Sequence, residues 1–339
     1  MNEEKKWISV IIPVYNAVEY LSECLGSLVR QTIGFDNVEV IAVNDGSTDG
    51  SGELLHEWAQ RYSNVKVIHQ ENSGAPGGPR NRGIESATGE FLFFADPDDF
   101  LGDEALERMV SMARRNDSDV VLGRIRGVGR SVASRPFARN IESGDIYETR
   151  AIWSLTAHKL FRRSLVMDHG LRFTEGVRLS EEVPFVVRAY FLAKGISVVS
   201  DYDCYYLVRR EGFPHLTLQT PDPGLYFGVV RDALTVVVEN TERGANRNAL
   251  LLRWVRGDIL GRFGYRFLLM PRHTRSEYVR LAGALLEEFA PDDVIGDLSC
   301  LDRWQGKALR DGRVMGAMVL ALLKCCQRVI SMVRRRVRQ

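Results

Sequence analysis

The first 125 residues alternate between short apolar runs and longer stretches whose apolar positions recur at helical spacing. The short runs are rich in Val, Ile and Phe and are bounded by Gly, Asp or Asn, which predicts strands at residues 7–14, 38–44, 65–70, 90–95 and 119–125. The amphipathic stretches between them predict helices at 18–31, 50–62, 79–87 and 103–115. Near-continuous apolar strands that alternate with helices are typical of a mostly parallel sheet with helices on both faces. We therefore expect an α/β fold.

The pattern changes after the fifth predicted strand. Residues 126–150 have the composition of an irregular, Ser- and Arg-rich connection, and a mixed segment follows, with predicted helices at 151–161 and 180–194 and a predicted strand at 196–207. From about Leu225 onward Leu and Val recur at helical spacing, which predicts helices through Val238 and at 250–269, 276–289 and 314–333. These patterns divide the chain into an α/β domain at 1–220 and a helical C-terminal region at 221–339.

The composition narrows the class of protein. The 339 residues include 45% hydrophobic and 26% charged residues, so the chain can bury a sizeable core. The 45 Lys and Arg balance 44 Asp and Glu, which argues against nucleic acid as a partner. Five Cys without a CxxC pair argue against a zinc site or a disulfide framework. No signal-peptide pattern precedes the first strand, and the longest uncharged apolar run, 314–323, is about half of a membrane span. We therefore expect a cytoplasmic protein.

Polar or turn-forming segments follow four of the predicted strands. They are residues 13–16, 44–47, 71–74 and 96–99. Ligands bind beyond the carboxyl ends of the strands in sheets of this kind, so four such segments on one edge favour a site for phosphate and sugar. Each segment alone is equally compatible with an ordinary turn.

The segment Asp96-Pro97-Asp98-Asp99 follows the strongly apolar run 91–95. Carboxylates concentrated at the end of a buried strand repel one another unless a cation or a basic group neutralises them. In an extended segment Asp96 and Asp98 project to the same side, and Mg²⁺ binds through one or two carboxylates together with substrate phosphates. We expect these two residues to hold a divalent metal, Mg²⁺ or Mn²⁺, against a nucleoside diphosphate. The alternative is a turn in which Asp98 or Asp99 caps the next helix.

Together, these motifs resemble those of family 2 glycosyltransferases. The resemblance is carried by the ordered and correctly spaced segments 8–16 (ISVIIPVYN), 43–49 (VNDGSTD), 81–84 (NRGI), 87–90 (ATGE) and 96–99 (DPDD). Further along, residues 180–185 are similar to the family's ED-type motif at a helix start, and 205–217 resembles its mobile loop that closes on the donor diphosphate. The resemblance covers about 1–220. It implies a GT-A fold and transfer of a sugar from a nucleotide donor with inversion at the anomeric carbon.

The resemblance also implies roles in donor binding. Pro13, Tyr15 and Asp45 would hold the uracil and ribose, since an Asp side chain accepts from the uracil N–H and a neighbouring aromatic ring stacks on the base. The other positions that match donor-binding residues are Asn16, Asn72, Arg80, Asp96, Arg209, His215 and Thr217. The structural alternatives are strand-end packing for Tyr15, a turn for Asp45, a surface ion pair for Arg80 and a solvated loop for His215.

Inverting transfer needs a base that takes the proton of the acceptor hydroxyl. The matching motif implies that this base is Glu182, at the second acidic position, where the family usually has Asp. Glu is one methylene longer than Asp, so Glu181 remains an alternative. Ser180 with two acidic residues would also make an ordinary first turn of a helix, favoured by the helix dipole.

The ED-type motif and the loop after it make the chain most similar to bacterial cell-envelope enzymes, wall teichoic acid N-acetylglucosaminyltransferases among them. This resemblance implies UDP-GlcNAc as the donor and a polyol-phosphate chain, teichoic acid or capsular polysaccharide, as the acceptor. Two other classes stay open. A nucleotidyltransferase would usually have a Gly-rich basic loop where this chain has residues 13–16. A non-catalytic module that binds a sugar nucleotide or a polymer is the other.

The C-terminal end carries a separate signal. Between Lys324 and Gln339 there are six basic residues and no acidic one, and they follow the apolar run 314–323. An apolar helical face with a terminal basic cluster fits a peripheral contact of 314–339 with the inner face of the cell membrane. It fits equally a polyanionic polymer or a homo-oligomer contact. A core helix that ends in a solvated basic tail is the structural alternative.

Overall fold

The structure is a computed structural model that describes residues 6–210 and 221–337. The predicted donor-binding residues His215 and Thr217 lie outside the described residues. The Cα positions divide the chain into two compact units, Met1–Leu216 and Thr217–Gln339. The roles predicted for the two parts of the chain stay predictions.

The first unit is built on one mixed sheet. Its strands are, in chain order, Ile8–Val14 (β1), Val38–Asp45 (β2), Val65–Gln70 (β3), Phe91–Phe94 (β4), Phe100–Leu101 (β5), Val120–Val128 (β6), Ile141–Gly144 (β7), Leu160–Arg162 (β8) and Ile196–Val208 (β9). The strand order is β3-β2-β1-β4-β8-β6-β9-β5, and β7 pairs with β9. The neighbours among β3, β2, β1 and β4 are parallel, as are β6 and β9. The other pairs are antiparallel.

Six α-helices lie among these strands in the described part of the first unit. They are Val18–Val29 (α1), Ser51–Arg61 (α2), Gly77–Ser86 (α3), Ala105–Arg115 (α4), Arg163–Asp168 (α5) and Val183–Leu192 (α6). Helix α3 packs closely on β1, because a Cβ added to Gly83 would lie 2.3 Å from Ile11 Cγ2. Only glycine permits this approach. Strand β1 is buried at every position, which accounts for its unbroken apolar run.

An aromatic cluster supports the end of β4, where the acidic segment begins. Phe94 contacts the rings of Phe161, Phe173 and Phe185 with centroid distances of 5.9, 4.8 and 5.7 Å. The Phe173 and Phe185 rings stack at 4.3 Å. Because such a cluster is buried and closely packed, it fixes the position of the turn that follows Phe94.

The second unit is helical throughout the part that the structure describes. Its α-helices are Pro223–Glu239 (α7), Ala245–Trp254 (α8), Tyr265–Leu269 (α9), Arg272–Phe289 (α10), Asp292–Gly296 (α11), Cys300–Arg310 (α12) and Val314–Val337 (α13). The core includes Tyr226, Phe227 and Tyr278, whose rings meet edge to face. Among the helices described, none is long and apolar enough to span a membrane.

The α/β fold class with a C-terminal helical region is confirmed. The five strands and four helices predicted within the first 125 residues are all present, with ends that differ by three residues or fewer. Two predictions further along are wrong, and a third holds in part. Residues 126–150 contain β7 and the end of β6, and 151–161 form a short 3-10 turn followed by β8 instead of a helix. Residues 250–269 are helical for most of their length, but α8 is followed by a π-helix at Val255–Ile259 and a 3-10 helix at Leu260–Arg262 before α9 begins.

Candidate active site

Asp45, at the end of β2, organises the loop that follows β3. Its side chain is buried, Oδ1 accepts hydrogen bonds from Gln70 Nε2 at 2.7 Å and Ser73 N at 2.9 Å, and Oδ2 accepts from Ser73 Oγ at 2.9 Å. Asn72 Nδ2 donates to the Asp45 carbonyl oxygen at 2.9 Å, and its Oδ1 accepts from Gly74 N. A carboxylate oxygen has two lone pairs, so Asp45 retains acceptor capacity for a ligand N–H. The structure thus brings the predicted residues Asp45 and Asn72 together.

The end of β1 is tied to the loop after β2. Asn16 has a positive φ of 47°, its backbone N–H donates to Ser47 Oγ at 3.1 Å, and its Oδ1 accepts from Thr48 N at 2.8 Å. Pro13 is buried within β1, whereas Tyr15 is 52% exposed. An exposed ring on a fixed backbone is available for stacking on a planar ligand. The parallel pairing of β1 with β2 therefore places Pro13, Tyr15 and Asn16 beside the end of β2 and the loop that follows it.

Asp96 opens the acidic turn that follows β4, and two basic side chains hold it. Arg80 Nη2 donates to Asp96 Oδ1 at 2.8 Å, and His158 Nε2 lies 3.1 Å from Asp96 Oδ2. Because a carboxylate only accepts, Nε2 carries the proton of this hydrogen bond. Burial would raise the pKa of Asp96, but the charges of Arg80 and His158 outweigh it and hold that pKa far below its usual value. Asp96 is therefore ionised and fixed in place.

Arg80 is the centre of a buried ion-pair network. Its side chain is only 6% exposed, and its second nitrogen, Nη1, donates to Glu181 Oε1 at 2.6 Å. The guanidinium group also lies over the Phe173 ring, 5.2 Å from its centroid. Arg80 thus joins the acidic turn to the ED-type motif, which is 101 residues away along the chain.

Asp99 and Tyr205 close the other end of the acidic turn. The Tyr205 hydroxyl donates to Asp99 Oδ2 at 3.0 Å and accepts from Asp96 N at 2.9 Å, so one phenol holds both ends of the turn. Asp99 Oδ1 accepts from Val208 N at 2.8 Å, at the end of β9. Burial, together with the charges of Asp96 and Asp98, raises the pKa of Asp99 to about 8. The Tyr205 ring stacks on His158 at 4.2 Å.

Asp98 projects away from this locked set. Its Oδ2 accepts from Arg210 Nε at 2.6 Å, and the Arg210 guanidinium lies 5.0 Å from the centroid of the Tyr20 ring. Burial and the neighbouring Asp96 charge raise the pKa of Asp98, although Arg210 opposes the shift. Of the two neighbouring arginines in the loop motif, Arg210 is thus the one that contacts the acidic turn, while the predicted Arg209 is exposed.

The ED-type motif places its two carboxylates differently. Ser180 has a positive φ of 66°, a conformation that is uncommon for a residue other than glycine, and α6 begins at Val183. Glu181 is 4% exposed and pairs with Arg80, whereas Glu182 is half-buried at the N-terminus of α6. Burial and the Glu181 charge raise the pKa of Glu182 to about 8. Burial lowers the pKa of Lys159 to about 7, against the opposing effect of the Glu182 charge.

A divalent cation would fit the chemistry of this turn. Asp96, Asp99 and His158 offer ligand atoms within 4.8 Å of one another. However, both oxygens of Asp96 and both oxygens of Asp99 already accept hydrogen bonds from protein groups. Burial and the charge of Asp96 raise the pKa of both Asp98 and Asp99, so a cation bound at the turn would stabilise their ionised forms. Oxygen ligands with excess negative charge suit Mg²⁺ or Mn²⁺.

Sequence reasoning assigned no role to His158 or Lys159. It gave Asp99 only the alternative of a helix cap, and it gave Tyr205 and Arg210 only their place in the loop motif. His158 and Lys159 precede a three-residue strand and show no motif of their own. Their nearly complete burial is the feature that sets them apart, and burial depends on strands that pair from distant parts of the chain.

This fold and site define the class of protein. The chain belongs to glycosyl transferase family 2, whose profile matches residues 9–175, and the GT-A fold expected from the motifs is confirmed. A second profile, the glycosyl transferase TarS linker domain, matches residues 223–321.

Particular relatives narrow the comparison. The chain is 39% identical over 232 residues to the poly(ribitol-phosphate) beta-glucosyltransferase of Bacillus spizizenii, covering 68% of this chain and 36% of that protein. It is 32% identical to poly(ribitol-phosphate) beta-N-acetylglucosaminyltransferase TarS of Staphylococcus aureus, covering 73% and 43%. It is also 32% identical to glycosyltransferase GlyG of Streptococcus pneumoniae, covering 60% and 71%. The chain thus spans about two fifths of the length of the two poly(ribitol-phosphate) transferases.

Among solved structures, the fold is similar to residues 1–349 of S. aureus TarS in complex with UDP-GlcNAc. The TM-score is 0.84 at 27% identity, and the match covers 93% of this chain and 90% of that one. The match therefore extends over both units of the chain.

Proposed function

We propose that this chain is an inverting glycosyltransferase that transfers a sugar, GlcNAc in the first instance, from a UDP-sugar to a polyol-phosphate polymer of the cell envelope, teichoic acid or capsular polysaccharide. The observation that carries the proposal is the Arg80 bridge, with Asp96 at 2.8 Å and Glu181 at 2.6 Å. One buried guanidinium fixes the acidic turn, which would bind the donor, relative to the motif that would supply the base. The names of the relatives support the acceptor class, and the UDP-GlcNAc complex of TarS supports the donor.

The donor would bind along the carboxyl ends of β1, β2 and β4. Asp45 would accept from the uracil N–H, with Pro13 and the exposed Tyr15 ring beside the base, and Asn16 and Asn72 would line the ribose. Arg80 would act here by holding Asp96, because both of its terminal nitrogens are already paired. Arg209, His215 and Thr217 remain proposed phosphate-binding residues, and Arg210 joins them because it already contacts the acidic turn.

Asp98, with Asp96 beside it, would hold the divalent metal, Mg²⁺ or Mn²⁺. When bound, the metal would offset the charge that develops on the leaving diphosphate. Asp98 is the better placed of the two, since Arg80 and His158 occupy the oxygens of Asp96. Asp99 would position the turn through Tyr205 and Val208 and would not contact the substrate.

Glu182 would be the general base. The acceptor hydroxyl oxygen would form the new bond to the anomeric carbon as the bond to UDP breaks, and the hydroxyl proton would pass to the Glu182 carboxylate. Glu181 is less suited to this role because Arg80 neutralises it within the core. A base with a pKa of about 8 has the proton affinity that transfer near neutral pH requires.

Donor hydrolysis and transfer assays test the proposal. The purified chain should release UDP from UDP-GlcNAc or UDP-glucose, with Mn²⁺ or Mg²⁺ and not with EDTA, and it should not hydrolyse GDP- or dTDP-sugars. Glu182→Gln should bind UDP as the unchanged chain does and lose transfer, whereas Glu182→Asp should keep activity because Asp is usual at this position of the family. Unchanged transfer by Glu182→Gln would remove Glu182 from the mechanism.

Two further outcomes separate the alternatives. Absence of donor hydrolysis together with absence of a UDP-induced shift in melting temperature would overturn the proposal and leave a binding module. Release of pyrophosphate from a nucleoside triphosphate would indicate a nucleotidyltransferase. Cytoplasmic location and homo-oligomer formation stay predictions from the sequence.

A further inference from the structure

On helix α13 small apolar side chains are buried and large apolar side chains are exposed. Its buried residues within the described part are small, Ala317 and Ala321, and both are fully buried. The opposite face carries large apolar side chains that are exposed, with Met315 at 70%, Val319 at 55% and Leu322 at 55%. A helix on the surface of a soluble protein normally turns its polar face to water.

The exposed side chains form one continuous stripe. Met315, Val319, Leu322 and Cys326 are spaced by four, three and four residues, which places them above one another along the helix, and Leu323 flanks them. In the sequence the same spacing continues through Ile330, Val333 and Val337. We call the exposed residues Met315, Val319, Leu322, Leu323 and Cys326 the apolar stripe. Contiguous exposed apolar surface of this kind marks an interaction site.

The charge of the same helix decides between possible occupants. From Gly312 to Gln339 the sequence has seven basic residues and no acidic one, and four of the seven are Arg334, Arg335, Arg336 and Arg338. A second copy of the helix would bring like charges together, without the acidic partners that usually pair with basic residues at helix–helix seams. A polyol-phosphate polymer would match the charge, but it has no apolar surface to cover the stripe.

We propose that α13 docks on an anionic lipid surface, lying in the plane of the interface with the apolar stripe inserted, and that the basic residues which follow the stripe in the sequence supply the attraction to the headgroups. A lipid surface offers negative charge for the basic residues and an apolar interior for the apolar stripe. Lys324 is already neutralised, since it pairs with Asp302 and Gln305 of α12, so the attraction comes from the residues after it. The inference does not depend on the proposed sugar transfer.

Vesicle flotation tests the docking surface on the full chain. The protein should float with phosphatidylcholine vesicles that contain phosphatidylglycerol and not with phosphatidylcholine alone, and salt should weaken binding. The triple change Arg334→Gln, Arg335→Gln and Arg336→Gln should lower the partition coefficient about a hundredfold, since each basic residue near an anionic surface contributes about fivefold.

The apolar stripe is tested separately. Val319→Glu with Leu322→Glu should lower the partition coefficient by more than tenfold, because inserted aliphatic side chains supply the apolar contribution. Leu225→Glu is the matched control, because Leu225 is 52% exposed on α7, and binding should not change. Circular dichroism melting confirms that each variant folds, and donor hydrolysis should be unchanged in all of them.

Three results would overturn the inference. The first is equal binding to vesicles with and without phosphatidylglycerol, or binding to neither. The second is a dimer in solution that Val319→Glu with Leu322→Glu dissociates, which would assign the stripe to a second copy. The third is binding to soluble polyphosphate, together with vesicle binding that the stripe variant retains, which would assign the helix to a polyanion.

Discussion

The Arg80 bridge leads to a prediction about stability that does not require knowledge of the substrate. Arg80→Met replaces the guanidinium by an apolar side chain that fits a similar space, and it leaves Glu181 without its cation and Asp96 with His158 alone. Their side chains are 29% exposed for Asp96 and 6% exposed for Glu181. Breaking a buried pair in this way typically costs about 3–5 kcal/mol, since an uncompensated buried charge remains. We expect a loss of that size in the free energy of unfolding at pH 7.

Arg82→Met is the matched control on the same helix. Arg82 pairs with Glu85 at 3.2 Å, but the two side chains are 58% and 51% exposed. An exposed pair three residues apart on a helix contributes about 0.5 kcal/mol or less. Urea unfolding of the ligand-free chain, followed by circular dichroism, measures both variants.

The pH dependence gives a second, independent readout. In the unchanged protein Arg80 holds the pKa of Asp96 far below its usual value, so the stability from this pair is present above about pH 4 and is lost only in stronger acid. Without Arg80, the guanidinium charge no longer offsets the burial of Asp96, so the pKa of Asp96 rises and the variant regains part of the lost stability as pH falls from 8 to 5. The difference between the two proteins should therefore narrow over this range. A loss within about 1 kcal/mol of the Arg82→Met value, or a difference that does not vary with pH, would refute the reasoning.

Three further predictions follow from other contacts. Tyr205→Phe should lower the free energy of unfolding by about 1–3 kcal/mol and raise the KM for the donor, because both ends of the acidic turn lose the hydroxyl that they share. Tyr206→Phe is the control. Equal effects of the two substitutions would contradict the role of the Tyr205 hydroxyl. The kcat/KM for transfer should rise with pH up to about 8, since Glu182 must be deprotonated to act as the base. The free energy of unfolding should fall over the same range, because the pKa of Glu182 is higher in the folded than in the unfolded chain. Glu182→Gln should therefore be more stable than the unchanged protein at pH 9 and not at pH 4. Gly83→Ala should lower the free energy of unfolding by about 1–3 kcal/mol, because the added methyl group overpacks against β1. Gly228→Ala in α7 is the control: an added Cβ there meets nothing within 4 Å, so the substitution should stabilise by about 0.5–1 kcal/mol. Thermal unfolding measures both, and similar shifts would contradict the close approach at Gly83.

The elements of the first 125 residues were predictable because their signals are local. Strands β1 and β2 are buried on both faces, so nearly every position is apolar and the runs stand out. The four polar segments follow the ends of four strands, because parallel sheets of this kind bind ligands at the carboxyl ends of their strands. In contrast, β8 has three residues and β5 has two, and elements of that length have no periodicity to detect. The longer strands β4 and β6 hold β8 between them, and β5 pairs with the long strand β9.

The motif residues themselves were visible in the sequence, but their partners were not. Arg80 and Glu181 are 101 residues apart, His158 and Asp96 are 62 apart, and Tyr205 and Asp99 are 106 apart. The local sequence pattern shows which residues are apolar and fit a helix or a strand. It does not show which buried polar atoms form hydrogen bonds with one another. A buried polar group must find a partner among the groups that packing brings within hydrogen-bond distance. The assignment of Glu181 to the ion-pair network, with Glu182 left at the helix start, was therefore decided by the tertiary structure.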